Sequence, residues 1–381
     1  MLPPNDHRPD VVHVTTVHNP LDTRIFYREA LSAHKAGLHT VVIGPAGAPE
    51  TVSGIKIVPL RKRPIRLIRR LFTPFSALRQ ILCLRPRIVH FHDPEMIPVA
   101  VILKLLGYKL VWDVHEYYSE VLTVHMRKTP FRALKRGVIS ALVEKIPCAI
   151  FDRSVFPTKA LRAVIRDKER AIACVNLLPV NEFPDIEGEA DKEFDLIFVG
   201  SMSPFRAGPF MEMVDLLRVR RPGFRVAILG VRHTTQSWME KNAPSKDVLD
   251  AITFIPRVPH SEVASVLRRA RIGFNYHPME KRFQVALPMK VYEYMACGLP
   301  VVCSRFPELA EQLSADEMIL VDGDDQQDYA DAIAFLLGDP ERQQRLGRAG
   351  EAAVRERLNW ESSEESKLLG MYSDLLGGGA P

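Results

Sequence analysis

A chain of 381 residues exceeds what one core holds, because single cores stop growing at roughly 250 to 300 residues, so two domains are expected. With 46% hydrophobic and 25% charged residues the composition is globular, which excludes wholesale disorder, collagen-like repeats and a coiled-coil rod. The net charge of +5 is unevenly spread: residues 1–178 carry 28 Lys+Arg against 14 Asp+Glu, and the remainder carries 23 against 32.

The opening MLPPNDHRPD has no apolar h-region, and the longest apolar stretch, Met96 to Trp112, is broken by Lys104, Gly107 and Lys109. Neither a signal peptide nor a membrane span is expected. Strands are predicted at Val11–Val17, Thr40–Ile43 and Ile55–Val58. Next comes Thr51 to His92, which contains Lys56, Arg61, Lys62, Arg63, Arg66, Arg69, Arg70, Arg79, Arg85 and Arg87 and no carboxylate. Leucines, isoleucines and phenylalanines interleave with these cations, as in a helix whose apolar side docks and whose rim is cationic. A solvated helix face is the plainer reading of the same pattern. No nucleic-acid motif accompanies the charge, so an anionic membrane surface met through Arg61 to Arg87 is the expected partner. Further strands are predicted at Ile88–Phe91, Lys109–Asp113 and Ala149–Phe156, and, after the acidic stretch Pro179 to Glu193, at Asp195–Val199, Arg225–Leu229, Ile252–Ile255, Ile272–Asn275, Pro300–Ser304 and Met318–Val321. Strands alternating with helical patterns describe parallel sheets covered by helices. The division expected is an N-terminal domain over 1–178, a linker over 179–193, a C-terminal domain over 194–358 and a final helical segment over 359–381. Five cysteines without a C-x-x-C pair argue against a disulfide framework and a structural zinc, and place the chain in a reduced, cytoplasmic setting.

Ligands of open α/β sheets sit outside the C-terminal strand ends, so the loops there carry the candidate residues. DLIFVG ends in Gly200, which permits close backbone approach, and in the SMSPFRAG that follows Arg206 stands at a helix start, a combination suited to phosphate. The segment ALPMKVYEYMACGLPVVCS, Ala286 to Ser304, reads as a loop, a short helix and an apolar strand, with Leu287, Pro288 and Met289 at the helix start and Gly298 at its end. Lys290 lies in the first turn, where a cation opposes the macrodipole unless an anion is near. Glu293, three residues on, shares its face, and a carboxylate there can accept both hydroxyls of a ribose. In the first half the polar strand ends are HFHDPE, with His90, His92, Asp93 and Glu95, and DVHEYY, with Asp113, His115 and Glu116. His90 and His92 share a strand face, but no third metal ligand stands at a convincing spacing, so no metal site is expected. The D-x-D of VDGDD, Val321 to Asp325, reads as turn and N-cap chemistry.

These blocks together resemble the retaining glycosyltransferases of family 4. The resemblance runs through HVTTVHNPLDTRIFYREALSAHKAGLHTVVI, HFHDPEMIPVA, VWDVHEYYSE, DLIFVGSMSPFRAG, LPMKVYEYMACGLPVV and LNWESSEESKLLGMYSDLL. It implies the α/β GT-B fold, two doubly wound Rossmann-like domains facing across a cleft with a last helix crossing back. It implies a nucleotide-diphosphate sugar held by the C-terminal domain, a hydroxyl acceptor held by the N-terminal one, and no other cofactor. By resemblance Glu293 is the second glutamate of E-x7-E and holds the ribose. Arg206 neutralises the donor pyrophosphate, Lys290 is the lysine of P-x-K-x-x-E, and His115 reaches the transferred sugar. The chain departs from the family at Val285, where the first glutamate would stand, and at Ser201, where an arginine often stands. TVHNPLDTR replaces the usual Gly-Gly loop, leaving His18, Asp22 and Arg24 without a role. The implied reaction is front-side transfer with retention, the leaving diphosphate taking the acceptor proton, and the expected acceptor is a lipid-linked intermediate of cell-surface polysaccharide synthesis. The competing readings are a nucleotide-sugar epimerase and a non-catalytic sugar-nucleotide binding protein on the same fold.

Overall fold

A computed structural model describes residues 8–61, 65–123, 131–164, 170–183 and 191–378; for residues 66–70, 132, 144, 164, 181, 281 and 282 it describes the backbone alone. The chain forms two compact units, Met1–Asn176 with Ser363–Pro381, and Leu177–Ser362. Residues 184–190 of the acidic stretch lie outside the described residues.

The first unit is built on β1 (Val11–Val14), β2 (Thr40–Pro45), β3 (Glu50–Val52), β4 (Ile55–Leu60), β5 (Ile88–Phe91), β6 (Lys109–Asp113), β7 (Arg153–Phe156) and β8 (Ala171–Ala173). Their order among the described residues is β3-β4-β2-β1-β5-β6-β7-β8. Every pair is parallel except β3 with β4. The central strands VVHV and IVHF are wholly buried, as expected of a sheet covered on both faces. Successive strands run outward from β1 to β2 and β4, then return to β5 on its other side, so the order reverses between β1 and β5. That reversal opens a crevice at their C-terminal ends. The hairpin β3–β4 was not expected from the sequence. Its two-residue turn is Ser53-Gly54, both at positive φ (48° and 83°), as a turn matching the strand twist requires.

Two predicted strands are shorter than expected by more than one residue. The run Val11–Val17 stops at Val14 because Thr15 and Thr16 turn toward Asp93, whose Oδ2 accepts from Thr15 Oγ1 at 2.8 Å and Thr16 N at 2.6 Å. Ala149–Phe156 is helical at its start: Ile146–Ile150 forms a helix with Pro147 in its first turn, and the strand begins only at Arg153. The helix Glu365–Leu376 belongs to this unit and buries Leu368, Met371 and Tyr372.

The second unit carries β9 (Phe194–Val199), β10 (Val226–Leu229), β11 (Ile252–Ile255), β12 (Ala270–Asn275), β13 (Val301–Ser304) and β14 (Ile319–Val321), in the order β11-β10-β9-β12-β13-β14, all parallel. Here the reversal falls between β9 and β12. The helix Pro204–Arg220 packs Ala207, Phe210, Met211, Val214 and Leu217 inward, the spacing of an amphipathic helix on a sheet. Asp325 caps the helix Gln326–Leu337 through Gln327 N at 2.9 Å, while of the D-x-D pair Asp322 meets Arg305 at 2.6 Å and Asp324 accepts from Met279 N at 3.0 Å. Among the described residues no helix is long and apolar enough to cross a membrane.

Candidate functional site

In the second unit the predicted residues gather at the reversal between β9 and β12. Leaving β9, the chain turns at Gly200, with φ at 95°, a conformation that disfavours any side chain. A Cβ there would lie 3.6 Å from Lys290 Nζ. Lys290 stands in the first turn of the helix Met289–Ala296, which begins after the buried Pro288, with Leu287 half-buried just before it. Its Nζ donates to Val199 O at 2.6 Å and sits 4.2 Å from the centre of the Phe198 ring. Arg206, buried in the first turn of Pro204–Arg220, donates to Tyr276 O just beyond β12 and stacks 5.3 Å from the same ring. Two cations thus lie over one aromatic ring. Burial and the nearby Arg206 charge bring the Lys290 ammonium down to about 7. Glu293 and Gly200 line a pocket of ≈ 530 Å³ together with Ser201, Gly230, Arg232 and Arg257, at the ends of β9, β10 and β11. Tyr294 fixes the helix to the sheet, its hydroxyl accepting from Val199 N at 2.9 Å and donating to Phe274 O at 3.1 Å. Val285 ends the short helix Lys281–Gln284.

His115 belongs to the first unit, just beyond β6. Its Nε2 lies 3.0 Å from Asp113 Oδ2, and its ring stacks on His18 at 4.8 Å between centres. Arg24 grips Asp113 with two bonds of 2.9 Å and also donates to Cys174 O at 3.2 Å. Asp22 caps the helical segment Thr23–Ala30, accepting from Arg24 N and Ile25 N. Burial opposes ionisation of Asp113, yet Arg24, His115 and His92 hold its carboxyl well below the usual range. Burial also works against a charged His115, but Asp113 outweighs it and raises the imidazole above its ordinary value. This strand end therefore holds an oriented, proton-retaining histidine. Sequence reasoning left Arg24 without a role and did not single out Asp113 as its partner. The two are 89 residues apart, so only the fold joins them.

Part of the basic run Arg61 to Arg87 can be placed. Lys62 and Arg63, and the side chains of Arg66, Arg69 and Arg70, lie outside the described residues. Arg61, Arg79, Arg85 and Arg87 are exposed, although Arg87 pairs with Asp10 at 3.2 Å. On the helix Arg66–Leu84, Leu71, Phe72 and Phe75 are each more than half exposed. The helix packed beside it, Ile97–Leu105, exposes Val101, Ile102 and Leu105, the last at 84%. These two neighbouring helices present more apolar surface than an isolated leucine on a globular protein would.

Comparison with known proteins adds to this geometry. Residues 23–173 match the family model Glycosyltransferase Family 4, and residues 210–363 match the model described as Glycosyl transferase-like. A D-inositol 3-phosphate glycosyltransferase of Acidothermus cellulolyticus is 32% identical over 192 residues, covering 48% of this chain and 41% of that protein. That of Segniliparus rotundus is also 32% identical over 192 residues, covering 48% of this chain and 40% of its own. The chain thus spans about two-fifths of the length of these curated relatives. Among solved structures, sucrose-phosphate synthase from Thermosynechococcus elongatus superposes with a TM-score of 0.75 at 15% identity, covering 97% of this chain and 99% of that one. Anabaena HepE in complex with UDP-glucose gives 0.70 at 11% identity, covering 96% and 99%. The expected fold of two Rossmann-like parallel-sheet domains, the GT-B type, holds.

Proposed function

The chain belongs to the family 4 glycosyltransferases, and from that premise we propose that it moves a sugar from a nucleotide-diphosphate donor to a hydroxyl of a lipid-linked acceptor, with retention of configuration. The observation that carries this reading is the placement of Arg206 and Lys290 over one aromatic ring, Phe198, beside a pocket lined by Glu293. Two neighbouring cations repel each other, and a diphosphate between them relieves that repulsion. Charge grows on the departing diphosphate as the glycosidic bond breaks. Arg206, the ammonium of Lys290 and the N-terminus of the helix Met289–Ala296 meet it there. Lys290 keeps donors for this beyond its bond to Val199 O, since an ammonium has three.

Glu293 accepts the ribose hydroxyls, and His115, oriented by Asp113, addresses the transferred sugar. The acceptor proton passes to the leaving phosphate, so no protein base is required. Calorimetry tests the donor assignment. Glu293→Gln should weaken binding of the ribonucleoside diphosphate, and wild type should bind the 2′-deoxy nucleotide less well than the ribo form. Equal affinity in both comparisons reduces Glu293 to a helix surface charge.

The exposed apolar residues of Arg66–Leu84, within a run free of carboxylates, and of the neighbouring helix Ile97–Leu105 support a peripheral attachment to the inner face of the membrane, where an intermediate of cell-surface polysaccharide synthesis would be met. If five cations of the run approach an anionic leaflet, the electrostatic attraction is about 5 kcal/mol before ordering costs. Co-sedimentation with anionic liposomes should fall steeply with salt and be lost when Arg66, Arg69 and Arg70 are changed together to Glu. Equal pelleting of both proteins, or no preference for anionic vesicles, rules the attachment out.

A further inference from the structure

Three helical segments follow one another without a break in the first unit: Arg132–Ile139, then Ser140–Lys145 in the wider π winding, then Ile146–Ile150. The first two pack against the short helix Tyr118–Val121, and the last packs against Ile97–Leu105. Between these supports an apolar face is left uncovered. Phe131, Leu134, Val138, Leu142 and Ile146 are 69%, 69%, 49%, 54% and 45% exposed. Steps of three and four residues put all five on one side of the helix, as a stripe roughly 22 Å long. A helix docked on a sheet turns such a stripe inward, whereas this one turns it to the outside. Apolar residues scattered singly over a surface need no explanation, but five in one row do.

The charge around the stripe says what covers it. Residues 125–146 contain Arg127, Lys128, Arg132, Lys135, Arg136 and Lys145 against the single carboxylate of Glu144. Arg136 is engaged by Glu120 at 2.7 Å. Lys135 and Lys145 are exposed. Lys135 stands four residues from Phe131 and three from Val138, and Lys145 stands three from Leu142, so both rise among the apolar residues of the stripe. The first turn holds no acidic residue, and cations at a helix N-terminus oppose its dipole unless an anion lies outside. A second copy of the chain would set this basic stretch against itself, since a two-fold interface pairs the same patch on both partners. An anionic, partly apolar surface satisfies the cations and the stripe together. The stripe also ends, at Ile146, on the segment packed against Ile97–Leu105, whose exposed Val101, Ile102 and Leu105 extend the apolar surface.

We propose that the stripe Phe131, Leu134, Val138, Leu142 and Ile146 enters the headgroup layer of an anionic membrane, the helix lying in the plane of the surface with Lys135 and Lys145 among the lipid phosphates. This rests on the peripheral attachment read from Arg66–Leu84 and adds an element to it. The carboxylate-free run draws the protein to the leaflet, and the stripe penetrates to the boundary of the acyl chains, a depth of about 5 to 10 Å for helices of this kind.

The test uses the full chain, vesicles of phosphatidylglycerol mixed with phosphatidylcholine, and vesicles of phosphatidylcholine alone. Leu134→Trp should gain a fluorescence that lipids brominated in their acyl chains quench, over the wild-type baseline, in the anionic vesicles. Leu134→Ser combined with Leu142→Ser should bind them at least tenfold more weakly than wild type. That factor should be the same at 0.1 and 0.3 M salt, because apolar burial is not screened, whereas binding of wild type itself falls with salt. Wild type that binds the anionic vesicles while Leu134→Trp stays unquenched, or while the serine pair binds as well as wild type, overturns the stripe and leaves the attachment through Arg66–Leu84 standing. Wild type that binds no vesicle overturns both. A dimer in sedimentation equilibrium that the serine pair dissolves, with Leu134→Trp unquenched by the lipid, assigns the face to a second copy and overturns the proposal.

Discussion

Replacing Lys290 or Arg206 with Met should weaken binding of the nucleoside diphosphate at least tenfold while leaving the fold intact. Each change removes a charge-assisted contact to phosphate worth roughly 1.5 to 3 kcal/mol. Methionine keeps the apolar packing against Phe198 in both cases. The pH dependence separates the two. In the free protein the ammonium of Lys290 titrates at about 7, lowered by burial and by Arg206, so it is charged below that pH and neutral above it. A bound diphosphate favours the charged form and draws a proton back. Wild-type affinity should therefore decline above neutrality by up to about tenfold per pH unit. Calorimetry at pH 8 in buffers of different ionisation enthalpy should detect proton uptake in wild type and in Arg206→Met, and none in Lys290→Met. Affinity that does not change with pH, or proton uptake surviving in Lys290→Met, removes Lys290 from the phosphate site.

Arg24→Met should be the most destabilising single change in the first unit. It strips both guanidinium bonds from Asp113 and leaves a carboxylate buried, a loss of about 3 to 5 kcal/mol for a broken buried pair. Arg24→Lys should rescue little, because an ammonium cannot reproduce the two-pronged grip. Adding Asp113→Asn to Arg24→Met should recover part of the stability, since the stranded charge is then gone. Differential scanning calorimetry checks this, with the transition of one unit expected to fall and that of the other to stay. Unchanged unfolding in Arg24→Met would mean that Asp113 is held by its histidine neighbours alone.

How far these sites were legible depended on how local they are. Lys290 and Glu293 are three residues apart on one helix, and Gly200 and Arg206 bracket one loop, so helix and loop rules were enough to group them. Apolar runs such as Val11–Val14 and Ile88–Phe91 announced the buried parallel strands in the same way. The first unit is different. Arg24 with Asp113, and Thr15 with Asp93, pair across 89 and 78 positions, and no local pattern carries such a contact. His90 and His92 were visible as a pair two residues apart, whereas His13 and Glu29 reach them only through the parallel register of β1 with β5 and the descent of Thr23–Ala30. The hairpin turn Ser53-Gly54 went unread because β3 is only three residues long and exposes Glu50 and Thr51, so no apolar alternation marks it. The helical start at Ile146–Ile150 was masked by the apolar residues it shares with the strand that follows.

Acceptor-dependent release of nucleoside diphosphate, followed together with the mass of the acceptor, tests the transferase reading most directly. Wild type should be incubated with UDP, GDP, ADP and dTDP sugars in turn, each with and without a polyprenyl-linked glycan acceptor. One donor should give diphosphate and an acceptor heavier by one sugar in equal amounts, and both signals should fall at least tenfold in Arg206→Met and Lys290→Met. No product from any donor, or product formed equally well by both variants, would contradict a glycosyl transfer driven by this pair of cations.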